Sequence, residues 1–105
     1  MDDIVFLRRR ITILCESGDF SKDRPEHMKL VDDWIAKNRQ LLEEKPVRTL
    51  RDIIISEIDL AGVYAEIGED DLARSTIRDL VEGPLTGSGF EDLEDEIYEI
   101  LDSLT

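Results

Sequence analysis

Apolar residues recur at intervals of three and four along most of the chain, the spacing of one face of an α-helix. Ile4, Leu7, Ile11 and Leu14 form the first such stripe and predict a helix from Asp2 to about Ser17. Asp2 or Asp3 is placed to cap its start, where a negative charge also suits the helix dipole, and Gly18 is placed to stop it. Gly18 to Arg24 is polar and reads as a connector. Pro25 suits the first turn of a second helix, with Asp23 upstream as a cap. Met28, Val31, Trp34 or Ile35, Leu41 and Leu42 carry its apolar face to about Lys45, and Pro46 ends it.

Thr49 with Asp52 three residues on is close to a capping box and opens a third helix. The β-branched run Ile53-Ile54-Ile55 invites a strand. The helical reading wins because Leu50, Ile54, Ile58, Ala61 and Ala65 keep a helical period through to Ile67, and no partner strand is visible elsewhere. Ile53 and Leu60 widen the stripe, so this helix is expected to be the most buried. After Gly68, Glu69-Asp70-Asp71 supplies caps and negative charge for a fourth helix. Its apolar face is Leu72, Ala73, Ile77, Leu80 and Val81, and Gly83-Pro84 stops it. The loop from Gly83 to Gly89, rich in glycine, is the expected hinge. A fifth helix spans about Glu91 to Leu104. Leu93, Ile97, Ile100 or Leu101 and Leu104 face inward, and Phe90 is a staple at its start. Asp92, Asp95, Glu96, Glu99 and Asp102 fall on the opposite face as an acidic ridge that no basic residue is expected to interrupt.

Five helices joined by short turns make an all-α chain, either a five-helix bundle or a short helical-repeat solenoid. At 105 residues, the whole chain (1 to 105) is expected to form a single helical domain.

Charge changes this picture more than composition does. The net charge is -13, and it is uneven. Residues 1 to 51 hold 11 basic and 10 acidic side chains, whereas residues 52 to 105 hold only Arg74 and Arg78 against 16 acids. Such a field repels nucleic acid and anionic membrane and attracts basic surfaces, so direct nucleic-acid binding is not expected. No apolar run approaches the roughly 18 residues that would suggest a membrane span. The acidic start, Met1-Asp2-Asp3, is unlike a secretory signal, and the single Cys15 fits a reducing compartment. A cytoplasmic location is therefore expected.

One stretch carries a recognisable order of residues: Leu60-Ala61, Tyr64, Gly68, Ala73, Ile77 and Leu80, with Pro84 after it. It resembles a tetratricopeptide repeat, in which a large and a small residue, an aromatic, a turn glycine and a second small residue hold these places. The resemblance covers about a third of the chain. Trp34 does not lie at the family's tryptophan place, and the position corresponding to it before Leu60 is Glu57. The resemblance implies one repeat-like hairpin flanked by three supporting helices, and a binding module in place of a catalyst.

Candidate chemistry is sparse. His27, the only histidine, sits in the first turn of the second helix, where it is expected to be solvated, and no triad arrangement surrounds it. Cys15 is isolated near an apolar face and reads as an inert thiol. One histidine and one cysteine cannot make a structural zinc site, and neither acidic run has calcium-loop spacing, so no cofactor or metal is expected. Gly87-Ser88-Gly89 lacks the lysine and helix start of a phosphate loop. A helical enzyme would need a polar cluster in its core, and the predicted apolar faces contain none.

The remaining candidates are for partner binding. Trp34 and Tyr98 are potential aromatic anchors, although Trp34 also suits a core position. Asp92, Asp95, Glu96, Glu99 and Asp102, with Glu69 and Asp70, are the acidic contacts. Arg8, Arg9 and Arg10 can pair with the acidic half within the molecule or across a homodimer. The expected function is a non-enzymatic adaptor or scaffold binding a basic or amphipathic protein surface. The alternative is a small acidic inhibitor that occupies a nucleic-acid-binding surface, as immunity proteins and phage-encoded mimics of similar size and charge do. An obligate oligomer built on the third helix is a further possibility.

Overall fold

The computed structural model describes residues 3–87 and 89–104. It is all-α: among the described residues there are five α-helices, one 3-10 turn and no strand. These are α1 (Asp3–Ser17), the 3-10 turn Phe20–Asp23, α2 (Arg24–Glu43), α3 (Leu50–Glu66), α4 (Asp70–Glu82) and α5 (Glu91–Ser103). The isoleucine run lies within α3, because the helical period continues on both sides of it and outweighs local β propensity. The cap expected at Asp2 lies outside the described residues. The chain divides into two compact units, Met1–Glu44 and Lys45–Thr105.

In the first unit α1 packs on α2, and the 3-10 turn touches both. Ile11, Val31 and Trp34 are buried, while Ile4, Leu7, Leu14, Met28 and Leu42 are half-buried. The connector is less polar in structure than in sequence, because Phe20 turns inward from it. The Phe20 ring meets His27 at 5.6 Å between centroids, and the Arg24 guanidinium stands 5.6 Å from the same ring. His27 is consequently half-buried and not fully solvated, with Nδ1 3.1 Å from the Phe20 carbonyl oxygen that accepts from an Nδ1–H. Pro25 occupies the first turn of α2 as expected, but Asp23 caps that helix by position only, without a side-chain hydrogen bond. Leu41, expected inside, is exposed, as α2 ends at Glu43, short of the predicted Lys45.

In the second unit α3 packs against both α4 and α5. Its core is Ile54, Ile58 and Ala61 from α3, Ile77 and Leu80 from α4, and Leu93 and Ile97 from α5, closed by Leu85 from the intervening loop. The small side chains Ala61 and Ala73 are fully buried, and Gly68 makes the turn between α3 and α4 with φ +83°, a left-handed conformation that favours glycine. The glycine loop is more anchored than a free hinge. Leu85 is buried in it, its N–H donates to the Leu80 carbonyl, and the Thr86 hydroxyl donates to the Val81 carbonyl. The expected apolar stripes are also narrower than the sequence suggests. Ile53, Leu72 and Val81 are exposed, each adjacent to a buried position of its helix, and Leu50 is exposed as the first residue of α3.

Thr49 and Asp52 form a full capping box: the Thr49 hydroxyl accepts from the Asp52 N–H at 3.1 Å, and Asp52 accepts from the Thr49 N–H at 3.2 Å. Lys45 adds an ion pair to Asp52 at 3.0 Å. The Thr49 N–H first, then Lys45, hold the Asp52 carboxyl below the usual aspartate range. With the native pKa lowered, these bonds stabilise the fold above the unfolded aspartate pKa of about 3.9, and that contribution is lost as pH falls through the native value. Acid unfolding of Asp52→Asn, followed by circular dichroism, is therefore expected to show a weaker dependence on pH in this range than wild type. An unchanged dependence would mean that the box does not survive in solution.

Two glycines give opposite expectations. Gly62 lies inside α3, and an added Cβ would make only an ordinary 3.9 Å contact with Ile100 Cδ1. Gly62→Ala should stabilise the chain by about 0.5–1 kcal/mol through helix propensity. At Gly83, the cap of α4, a Cβ would stand 2.8 Å from the Asp79 carbonyl oxygen, so Gly83→Ala should destabilise. Urea denaturation of the two variants reads both signs, and equal effects would contradict the backbone placement.

Candidate protein-binding face

The fifth helix sets the site. Leu93 and Ile97 are buried in the unit's core, and Ile100 and Leu101 pack partly against it, which fixes the rotation of α5. That rotation turns Asp92, Asp95, Glu96, Glu99 and Asp102 to the outside, and all five are exposed. Acids stand at 91, 92, 94, 95, 96, 99 and 102 of α5, with no lysine or arginine among its residues. Acids in the first turn favour the helix through its dipole, but no basic residue balances the last turn. The ridge thus exceeds what helix capping requires.

The ridge is not wholly outward-looking. Arg51, from the first turn of α3, reaches Asp92 with both terminal nitrogens, Nη1 donating to Oδ1 at 3.2 Å and Nη2 to Oδ2. Its guanidinium also stands 5.3 Å from the centroid of the Phe90 ring, at the start of α5. The hydrogen bonds from Arg51 lower the Asp92 pKa, and those to Asp92 raise that of Arg51. Arg51 of α3 thus pairs with Asp92 of α5, which corrects the expectation that no basic residue interrupts the ridge. The pair is 41 residues apart in sequence, beyond any spacing rule along one helix.

Tyr98 is 62% exposed and borders the ridge. On a helix its surface neighbours are residues three and four away, here Glu94, Asp95, Leu101 and Asp102. An aromatic ring so placed offers apolar area between carboxylates and Leu101. Beside it, Leu101 lines a groove with Ile77, Val81, Arg74 and Arg78 of α4. The Arg74 guanidinium donates to the Leu104 carbonyl at 3.0 Å, satisfying an orphan acceptor at the end of α5.

The other candidates take different places. Trp34 is only 3% exposed and belongs to the interior, so it offers no ring to a partner. Glu69 is the cap position of α4, without a side-chain cap bond, and Asp70 begins its first turn. Both are half-exposed and suit the helix dipole. Cys15 is half-buried on α1. No three of His, Cys, Asp and Glu among the described residues come close enough to share a metal ion. No helix among them is long and apolar enough to cross a membrane.

The sequence reading passed over the outer side of α1, where Val5, Phe6 and Ile13 are exposed. The signal was available: Phe6, Arg9, Arg10 and Ile13 share a second stripe at helical spacing, distinct from the stripe of Ile4, Leu7, Ile11 and Leu14. Comparisons with family models, with curated proteins and with solved structures find no match to this chain.

Proposed function

We propose that the chain is a non-enzymatic protein–protein interaction module whose α5 face binds a basic protein surface. The observation that carries this reading is Tyr98, an exposed aromatic ring one helical turn from the carboxylates of Asp95 and Asp102. Aromatic anchors supply most of the affinity of an interface, and a surrounding rim of one charge sets on-rate and partner choice. The excess of acids in residues 52 to 105 extends that preference to longer range. The resemblance of Leu60 to Leu80 to a tetratricopeptide hairpin supports a scaffold role for α3 and α4.

The acidic ridge also motivates a second reading, an inhibitor that covers a nucleic-acid-binding surface on its target. The two differ in how affinity divides between ring and charge. Capture of partners from lysate of the source cell on tagged protein, at low and at high salt with mass-spectrometric identification, separates them. An adaptor anchored by Tyr98 keeps its partner at high salt. A mimic resting on charge alone releases a nucleic-acid-processing protein, because rim charges are screened. Absence of any specific basic partner at low salt would overturn both.

A further inference from the structure

We propose that the outer face of α1 pairs with the acidic α5 face of a second copy of the chain. Val5, Phe6 and Ile13 expose more than half of their surface, and all three are on α1. Phe6, Arg9, Arg10 and Ile13 fall at i, i+3, i+4 and i+7, which places two cations within an apolar stripe. The Arg10 guanidinium stands 5.9 Å from the centroid of the Phe6 ring, so cation and ring present one surface. Phe6 also borders a groove between α1 and α2, lined by Leu7, Ala36 and Lys37. An exposed apolar cluster of this kind marks an interaction site. Its arginines, once shielded from water, require carboxylates opposite them.

The α5 face supplies the complement: the Tyr98 ring for the apolar stripe, and Asp95, Glu99 and Asp102 for Arg9 and Arg10. Elsewhere two copies of a chain with net charge -13 repel one another, so contact through α1 is the encounter that charge favours. The same net charge disfavours an anionic membrane as the occupant of α1. The pairing rests on the α5 reading for one of its two faces, and α1 supplies the other independently.

Sedimentation velocity tests it over protein concentrations from ~1 to ~300 µM, a range suited to a contact at the small end of interface sizes. Wild type is expected to associate with rising concentration and to dissociate at high salt. The double variants Arg9→Glu with Arg10→Glu, and Asp95→Lys with Glu99→Lys, should each associate at least ~10-fold more weakly, a loss comparable to one hot spot. An equimolar mixture of the two should associate again, because each reversed face then meets its complement. Phe6→Ser and Tyr98→Ala give the same loss without changing charge, and circular dichroism checks that every variant keeps its helices. A wild type that stays monomeric throughout, or association that survives the α1 reversal, would overturn the proposal. The partner reading is judged separately, by binding of a captured basic partner to the α5 reversal. Loss of that partner by a monomeric chain removes only the self-pairing, and self-association without any basic partner removes only the partner reading.

Discussion

Ile54→Ala is expected to lower the stability of the chain by about 2–5 kcal/mol, the cost of a cavity where a fully buried isoleucine stood. Ile54 has no exposed surface and lies in the core shared with Ile58, Ile77, Leu80, Leu93 and Ile97. It sits on the helix that packs against both others of its unit, so the surrounding side chains cannot close the gap by moving one element alone. Small domains are stable by about 5–15 kcal/mol in total, so a loss of this size lowers the melting temperature by on the order of 10 °C or more. The neighbouring substitution supplies the control. Ile53 is exposed, and Ile53→Ala should change stability by no more than about 0.5 kcal/mol. Both are read from chemical denaturation followed by circular dichroism. Equal effects at the two positions would place α3 in the wrong rotation and would remove the argument for the outward face of α5.

Tyr98→Ala is expected to weaken binding of the basic partner by about 2 kcal/mol or more, roughly 30-fold in dissociation constant. The loss follows from removing an exposed aromatic anchor that borders the charges of the ridge. Rim charges individually contribute little in water and are screened by salt. Folding stability should be almost unchanged, since the ring is mostly in solvent. Tyr98→Phe should retain most of the affinity, because the ring supplies the apolar area. A change of less than ~3-fold for Tyr98→Ala, measured by calorimetry with the captured partner, would shift the account from an anchored contact to an electrostatic one.

The elements of this fold were legible because most of them are marked at one end or both. Thr49 with Asp52, Pro25, Gly18 and Gly68 punctuate the chain where the helices begin and end, and the period between them is consistent. The isoleucine run shows why the period outranks propensity: Ile54, Ile58 and Ala61 are buried at spacings of four and three, and a strand would turn Ala61 to the opposite face. Width was harder to read than period. Leu72, Val81, Ile53 and Leu50 extend their stripes on paper, but three helices cover only a narrow strip of one another, so such residues stay outside. The buried Phe20 and Leu85 lie in segments that sequence marks as loops, where no periodicity announces an inward side chain.

The proposed face was partly legible. The acidic side of α5 follows from helical spacing alone, whereas the exposure of Tyr98, next to the buried Ile97, is set by how α5 packs on α3. Which acids remain for a partner does not follow, because Arg51 approaches Asp92 through the packing of α3 on α5, a contact set by tertiary structure. Trp34 was the ambiguous case. A residue adjacent to Ile35 can face either way, and here the indole takes the buried position while Ile35 is half-buried.

The central claim is that the outward acids of α5, together with Tyr98, hold a basic protein surface. Its most direct test is the affinity of the captured partner for wild type and for Asp95→Lys with Glu99→Lys, each at low and at high salt, with circular dichroism confirming the fold. The account predicts tight binding to wild type that high salt weakens but does not abolish, and a loss of at least ~100-fold for the charge reversal at low salt, as like charges then face one another. Equal affinity of the two proteins for that partner would contradict it and would place the binding surface off α5.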